Sequence, residues 1–135
     1  MKKRGGILVV SYEGLRMDKT ILQSNYWHYC ILDEAQRIKN CKSQAYEAAI
    51  NLQTANKLIL SGTPMQNNLQ ELWSLFNFVE PNLLGNMQFF EKEFVDTIMK
   101  GGFSKATNIE KEKSQLCIRK LKQLILSHIL RRTKN

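Results

Sequence analysis

The sequence predicts an α/β fold in which part of a parallel sheet is followed by a helical extension. Three short apolar runs of the kind found in buried strands occupy residues 7–11, 27–33 and 58–60. Segments with helical periodicity separate them, and a repeat of about 25 residues is typical of βαβ units in a doubly wound sheet. After about residue 82 apolar residues recur only at helical spacing, for about 50 residues.

The first half of the chain supplies the strands and two helices. Residues 7–11 (Ile-Leu-Val-Val-Ser) are apolar and β-branched without alternation, which predicts a fully buried strand. Residues 13–24 carry leucine and isoleucine among polar residues and predict a helix. Residues 27–33 form the second strand, Ser43 is placed to cap a helix, and residues 58–60 form the third strand.

The second half is predicted to be helical. Asn68 and Glu71 have the spacing of a capping box, and Pro81 ends the helix that they begin. A loop and a short aromatic-rich helix follow, Gly101 and Gly102 interrupt the pattern, and residues of about 108–130 form a long helix. The large apolar side chains of the first of these helices are expected in the core, Trp73 and Phe76 among them.

Composition is that of an ordinary globular protein. The 135 residues suit one domain, with 43% hydrophobic and 24% charged residues. No apolar run approaches the roughly 18 residues that span a bilayer, so we expect no membrane partner and no secretory signal. Three cysteines without metal-ligand spacing indicate reduced thiols in the cytosol or nucleus.

The charge is uneven. The formal net charge is +8, and residues 113–135 contain lysines and arginines but no acidic residue. Such a surplus favours a polyanionic partner, nucleic acid above all, although a solvated helix face gives the same pattern.

Two adjacent acids, Asp33 and Glu34, end the second predicted strand. Ligands of parallel sheets bind beyond the carboxyl ends of the strands, so this position is expected to carry chemistry. Aspartate oxygen suits Mg²⁺, and a neighbouring glutamate can orient or deprotonate a water that attacks a phosphate. The pair by itself is equally typical of a solvated strand end.

Four stretches together resemble the Swi/Snf-type ATPases of helicase superfamily two. They are residues 7–16, 33–40, 60–73 and 130–134, in the family's order and at its intervals. The sequence Leu-Ser-Gly-Thr-Pro-Met-Gln-Asn-Asn-Leu with a following Glu-Leu-Trp, and the terminal Leu-Arg-Arg-Thr-Lys, are the most specific. Residues 101–106 most resemble the Cockayne syndrome group B branch.

The resemblance implies the C-terminal half of a RecA-like lobe with three strands and flanking helices, followed by a helical protrusion. Residues 1–80 would be the partial first lobe, residues 81–128 the protrusion, and residues 129–135 the start of a linker to a missing second lobe. The implied cofactors are ATP and Mg²⁺, with Asp33 binding the metal and Glu34 positioning the attacking water.

The resemblance also implies that Ser61, Gly62 and Thr63 sense the nucleotide and couple it to DNA through Gln36. Taken alone, these three residues favour a plain strand-to-helix turn. Many relatives have histidine where this chain has Gln36, but glutamine keeps a donor and an acceptor. Further residues are implied to contact nucleic acid: Ser11, Tyr12, Arg37, Lys39 and Gln66. For these, packing or a solvated turn is the alternative role.

The function implied is that of a DNA-dependent ATPase that moves along double-stranded or nucleosomal DNA and remodels chromatin or other DNA-bound protein in the nucleus. The branch adds transcription-coupled DNA repair. No glycine-rich loop ending in Lys-Ser/Thr is present, so the chain alone is expected to be inactive. The alternative is an inactive nucleic-acid- or protein-binding fragment. An RNA helicase is disfavoured, because the common class uses Ser-Ala-Thr where this chain has Ser-Gly-Thr.

Overall fold

A computed structural model describes residues 5–62 and 68–132. The chain divides into two compact units, Met1–Pro64 and Met65–Asn135. The expected boundary between a partial lobe and a protrusion, after residue 80, concerns the organisation of the family and stays a prediction.

The first unit contains a parallel pair of strands. Strand β1 is Tyr26–Leu32 and strand β2 is Gln53–Ile59, and their register runs from Tyr26 opposite Gln53 to Leu32 opposite Ile59. This confirms the second and third predicted strands and their parallel direction. Because the strands are parallel, both carboxyl ends lie at the same edge of the sheet.

The first predicted strand is not part of the sheet. Across residues 5–62 and 68–132 the sheet has two strands, and residues 7–11 are irregular. Ile7 is 95% exposed and Val9 is 86% exposed. An apolar segment becomes a buried strand only when a neighbouring strand pairs with its backbone, and no described strand does so here.

Helices α1 (Tyr12–Met17) and α2 (Lys19–Gln23) replace the single helix expected over residues 13–24. They separate at Asp18, which ends α1 and precedes α2. A short 3-10 helix, Ala35–Ile38, follows β1. Helix α3, Gln44–Ile50, packs against α1 and begins at Ser43, whose side chain accepts a hydrogen bond from the Tyr46 amide, as predicted.

The second unit is helical in its described residues, which begin at residue 68. Helix α4 is Leu69–Val79, capped by the Asn68 side chain as predicted. Helix α5 (Met87–Phe90) continues through a π-helical segment (Glu91–Val95) into α6 (Asp96–Gly102). Helix α7, Asn108–Leu126, pairs with α6 and ends four residues before the predicted end.

The core of the second unit contains the aromatic residues expected there. Trp73 is 8% exposed and Phe76 is 5% exposed, and the Trp73 indole donates a hydrogen bond to the Gly85 carbonyl. Phe90 and Phe94 stack with ring centroids 5.3 Å apart. Neither described part of the chain contains a helix that is long and apolar enough to cross a membrane.

Candidate functional site

The site is built where β1 and β2 end. Beyond the strands, the Leu60 amide donates to the Leu32 carbonyl at 2.8 Å, and the Ala35 amide donates to the Leu60 carbonyl at 3.0 Å. These bonds hold the segment after β1 beside the segment after β2. Asp33 and Glu34 therefore lie at the same sheet edge as Ser61.

The acid pair occupies a tight turn. Glu34 has φ 51° and ψ 53°, the left-handed region that non-glycine residues seldom adopt. Its amide donates to Asp33 Oδ1 at 2.9 Å. Both acidic residues are exposed, so oxygen atoms of two carboxylates face solvent at the end of β1, whose last residue, Leu32, is buried.

Gln36 connects the acid pair to the end of β2. Its Nε2 donates to Glu34 Oε2 at 2.6 Å, and its Oε1 accepts from Ser61 Oγ at 3.5 Å. The first bond is short and charge-assisted, whereas the second lies at the outer limit for a hydrogen bond. The Gln36 amide thus connects the Glu34 carboxylate, in the acid turn, with the Ser61 hydroxyl, which lies beyond the end of β2.

Ser11 and Tyr12 lie at the start of α1. The Ser11 side chain caps this helix by accepting from the Gly14 amide at 3.0 Å. The Tyr12 hydroxyl donates to the Asp33 backbone carbonyl at 2.7 Å. Burial, and next the charge of Asp33, raise the pKa of Tyr12 to about 12. Tyr12 therefore belongs to the same cluster as the acid pair.

The other predicted residues are less closely joined to the cluster. Arg37, within the 3-10 helix, and Lys39, which follows it, are exposed. A side chain placed at Gly62 would meet no atom within 4 Å, so its surroundings are open. Thr63 and Gln66 lie outside the described residues. The functional roles assigned to all of these residues stay predictions.

The donor set fits Mg²⁺ better than a metal held by protein alone. No group of three or more His, Cys, Asp or Glu side chains that could enclose a metal occurs within residues 5–62 and 68–132. Mg²⁺ keeps several waters and takes one or two carboxylates together with substrate phosphates. Two exposed carboxylates at a strand end, Asp33 and Glu34, match that requirement.

The comparison with protein families decides the assignment. The family model described as the SNF2-related domain matches residues 1–135. The chain belongs to the SNF2-related domain family.

Relatives of this SNF2-related domain support the assignment. It is 44% identical over 130 residues to the DNA repair and recombination protein RAD26 of Saccharomyces cerevisiae, covering 96% of this chain and 12% of that protein. It is 39% identical over 130 residues to the human DNA excision repair protein ERCC-6, covering 96% of this chain and 9% of that protein. The domain therefore spans about a tenth of the length of these relatives.

A solved structure confirms the fold class. The Sulfolobus solfataricus SWI2/SNF2 ATPase core in complex with dsDNA matches with a TM-score of 0.72 and 36% identity, covering 91% of this chain and 24% of that chain. This SNF2-related domain therefore has the RecA-like architecture that its motifs predicted.

The hydrogen bond from Tyr12 to Asp33 is the feature that sequence reasoning missed. The Tyr12 hydroxyl is bonded to the turn that carries the acids, whereas its expected contact with nucleic acid stays a prediction. A partial signal was available, because residues that follow successive strands of a parallel sheet are expected at one sheet edge, although residues 7–11 do not form a strand here. Tyr12 follows the first apolar run as Asp33 follows the second.

Proposed function

We propose that this chain is the part of a DNA-dependent ATPase motor that binds magnesium, orients the attacking water and transmits the nucleotide state. The observation that carries the proposal is the Gln36 bridge between Glu34 and Ser61. A solvated strand end does not require such a bridge. A site in which a change at a carboxylate is transmitted to the neighbouring strand does require one.

Asp33 is the proposed ligand of the magnesium ion. Mg²⁺, when bound with ATP, would neutralise charge on the β- and γ-phosphates. Asp33 Oδ1 already accepts a hydrogen bond from the Glu34 amide. The Oδ2 atom and the remaining lone pair of Oδ1 are therefore available to the ion or its waters.

Glu34 is the proposed general base. A carboxylate that accepts the short bond from Gln36 at Oε2 keeps Oε1 for a water molecule. The bond also restricts rotation of the carboxylate, which favours one orientation of the attacking water.

Gln36 and Ser61 are the proposed coupling pair. Their contact of 3.5 Å is weak enough to tighten or break when the ligands of Glu34 change. The sequence segment Ser61, Gly62 and Thr63 would pass this change to the DNA-binding surface, to which Ser11, Tyr12, Arg37, Lys39 and Gln66 are assigned.

The finer proposal is a nuclear motor that moves along double-stranded or nucleosomal DNA and remodels DNA-bound protein, in a pathway of DNA repair. It is supported by the similarity to two proteins named for DNA repair and to an ATPase core solved with dsDNA. The chain would work as part of a longer motor. Alone it would neither bind ATP tightly nor hydrolyse it, because its 135 residues include no glycine-rich phosphate loop with a lysine.

The test is a chimera. This chain replaces the matching segment of the Sulfolobus solfataricus SWI2/SNF2 core, and ATP hydrolysis is measured with and without double-stranded DNA. We expect DNA-stimulated hydrolysis, and we expect Glu34→Gln to lower kcat by about 10²- to 10⁴-fold while nucleotide affinity changes little. The matched control is Glu112→Gln, the same change at an exposed position on α7.

Two outcomes of the Glu34→Gln experiment would contradict the role proposed for Glu34. Turnover that survives Glu34→Gln would remove Glu34 from the chemistry. Equal loss of binding and turnover, absent from the Glu112→Gln control, would make Glu34 a folding residue.

A second candidate is a nucleic-acid-binding module without enzymatic activity. It is favoured by the exposed basic residues of α7, Arg119, Lys120 and Lys122, in a region without acids after residue 112. A correctly folded but inactive chimera, together with salt-sensitive DNA binding by the chain itself, would support this alternative.

A further inference from the structure

The turn that carries the acid pair is conformationally costly. Glu34 adopts φ 51° and ψ 53°, which β-carbon sterics disfavour for every residue except glycine. A residue keeps such a conformation only when surrounding bonds hold it. The bonds that hold this turn therefore also determine where the two carboxylates point.

The peptide unit between Asp33 and Glu34 is bonded at both ends. Its carbonyl accepts from the Tyr12 hydroxyl at 2.7 Å, and its amide donates to Asp33 Oδ1 at 2.9 Å. The amide bond is local to the turn. The carbonyl bond comes from a residue 21 positions earlier in the chain, so it ties the turn to a different element.

Tyr12 is well placed to hold this carbonyl. It is the first residue of α1, whose N-terminus is fixed by the Ser11 cap and whose Leu15 is 4% exposed. Helix α1 also packs against α3. A phenol on this anchored helix has little freedom to leave its partner.

Chemistry favours a permanent donor at this position. A tyrosine hydroxyl is a neutral O–H donor and a backbone carbonyl is an acceptor, so the two groups match without any change of charge. Their distance of 2.7 Å is that of a well-formed O–H···O hydrogen bond.

We infer that Tyr12 is a positioning residue, which fixes the Asp33–Glu34 peptide unit through its hydrogen bond to the Asp33 carbonyl and so orients both acids. The catalytic part of this inference rests on the proposed ATPase function. The fixation of the turn does not, and it can be tested without any turnover.

The first experiment measures amide hydrogen exchange by NMR in the 135-residue chain. Tyr12→Phe keeps the ring and removes only the donor. We expect exchange at the Glu34 and Ala35 amides to rise about tenfold, the change that about 1.4 kcal/mol produces. Tyr29→Phe is the matched control, since Tyr29 is 68% exposed on β1, and it should leave both rates unchanged.

The second experiment measures kinetics in the chimera. Tyr12→Phe should lower kcat for ATP about tenfold with little change in KM, and Tyr29→Phe should change neither. A purely structural role would instead lower the amount of folded enzyme, leaving KM unchanged and kcat per folded molecule intact. Titration of active sites with a tight-binding nucleotide analogue separates the two.

The outcomes separate the two proposals. Unchanged exchange in Tyr12→Phe overturns the inference whatever the kinetics show. Raised exchange with unchanged kcat in an active chimera overturns the positioning role. An inactive wild-type chimera refutes the proposed function, and the exchange result then still decides whether Tyr12 fixes the turn.

Discussion

Helices α6 and α7 pack closely against each other at Gly101. A Cβ placed there would lie 2.2 Å from Ser114 Cβ, 2.7 Å from Ser114 Oγ and 2.9 Å from the Glu110 carbonyl oxygen. To reach an ordinary contact of 3.4 Å, the two Cβ atoms must separate by 1.2 Å, the difference between 3.4 and 2.2 Å. Ser114 is 5% exposed and donates to the Ile98 carbonyl at 3.3 Å, so it cannot simply rotate away.

Gly101→Ala should therefore destabilise the second unit. Alanine is favoured over glycine in a helix by about 1 kcal/mol, but overpacking of a tight interface costs about 1 to 3 kcal/mol. One of the close contacts at Gly101 is with a backbone atom, the Glu110 carbonyl oxygen. Because backbone cannot move aside as a side chain can, we take the upper part of that cost, about 2 to 3 kcal/mol, which leaves a net loss of about 1 to 2 kcal/mol in the free energy of unfolding. Urea denaturation followed by circular dichroism at 222 nm measures it.

The neighbouring glycine supplies the control. A Cβ at Gly102 would meet nothing within 4 Å, so Gly102→Ala should be neutral or stabilise by up to about 1 kcal/mol. Adding Ser114→Gly to Gly101→Ala removes the two nearest clashing atoms, so the double variant should lose less than the sum of the single losses. A Gly101→Ala protein as stable as Gly102→Ala would refute the close packing of α6 on α7.

Two further predictions concern pH and salt. Hydrogen bonds with Thr107, first of all the bond from its backbone amide, lower the pKa of Glu110. The stability that these bonds contribute is therefore fully present above the ordinary glutamate pKa and is lost as the pH falls through the lowered pKa of the folded state. Acid should destabilise the wild type more than Glu110→Gln, and equal acid sensitivity of the two proteins would contradict the capping box. The affinity of the chain for DNA, measured by fluorescence anisotropy, should fall as salt is added, with log Kd changing linearly with the logarithm of the salt concentration. Arg37→Ala should reduce the slope of this line by about 1 if the Arg37 guanidinium contacts a phosphate. Lys19→Ala is the control, because Lys19 already pairs with Glu47 at 3.5 Å, and a slope unchanged by Arg37→Ala would remove Arg37 from the interface.

Local signals in the sequence were sufficient for most helix starts. Ser43, Asn68 and the spacing of apolar residues predicted α3 and α4, because a cap and a helical stripe depend on neighbours within one turn. The same reasoning placed Trp73 in the core. It did not detect the break at Asp18, since short helices such as α1 and α2 are fixed by tertiary packing more than by propensity.

Strand prediction failed where pairing was required. Residues 7–11 have the composition of a buried strand, but a strand exists only with a partner, and within residues 5–62 and 68–132 none pairs with them. The composition of a segment indicates how its side chains would pack. It does not indicate whether another strand is available to pair with its backbone.

The sequence by itself determined the family, the parallel arrangement of the second and third apolar runs, and the position of Asp33 and Glu34 at a strand end. Each of these depends on residue types and on their order along the chain. Only the tertiary structure decided that Gln36 joins Glu34 to Ser61 and that Tyr12 holds the Asp33 carbonyl. These contacts join residues up to 25 positions apart, and their geometry is set by how β1, β2 and α1 pack together.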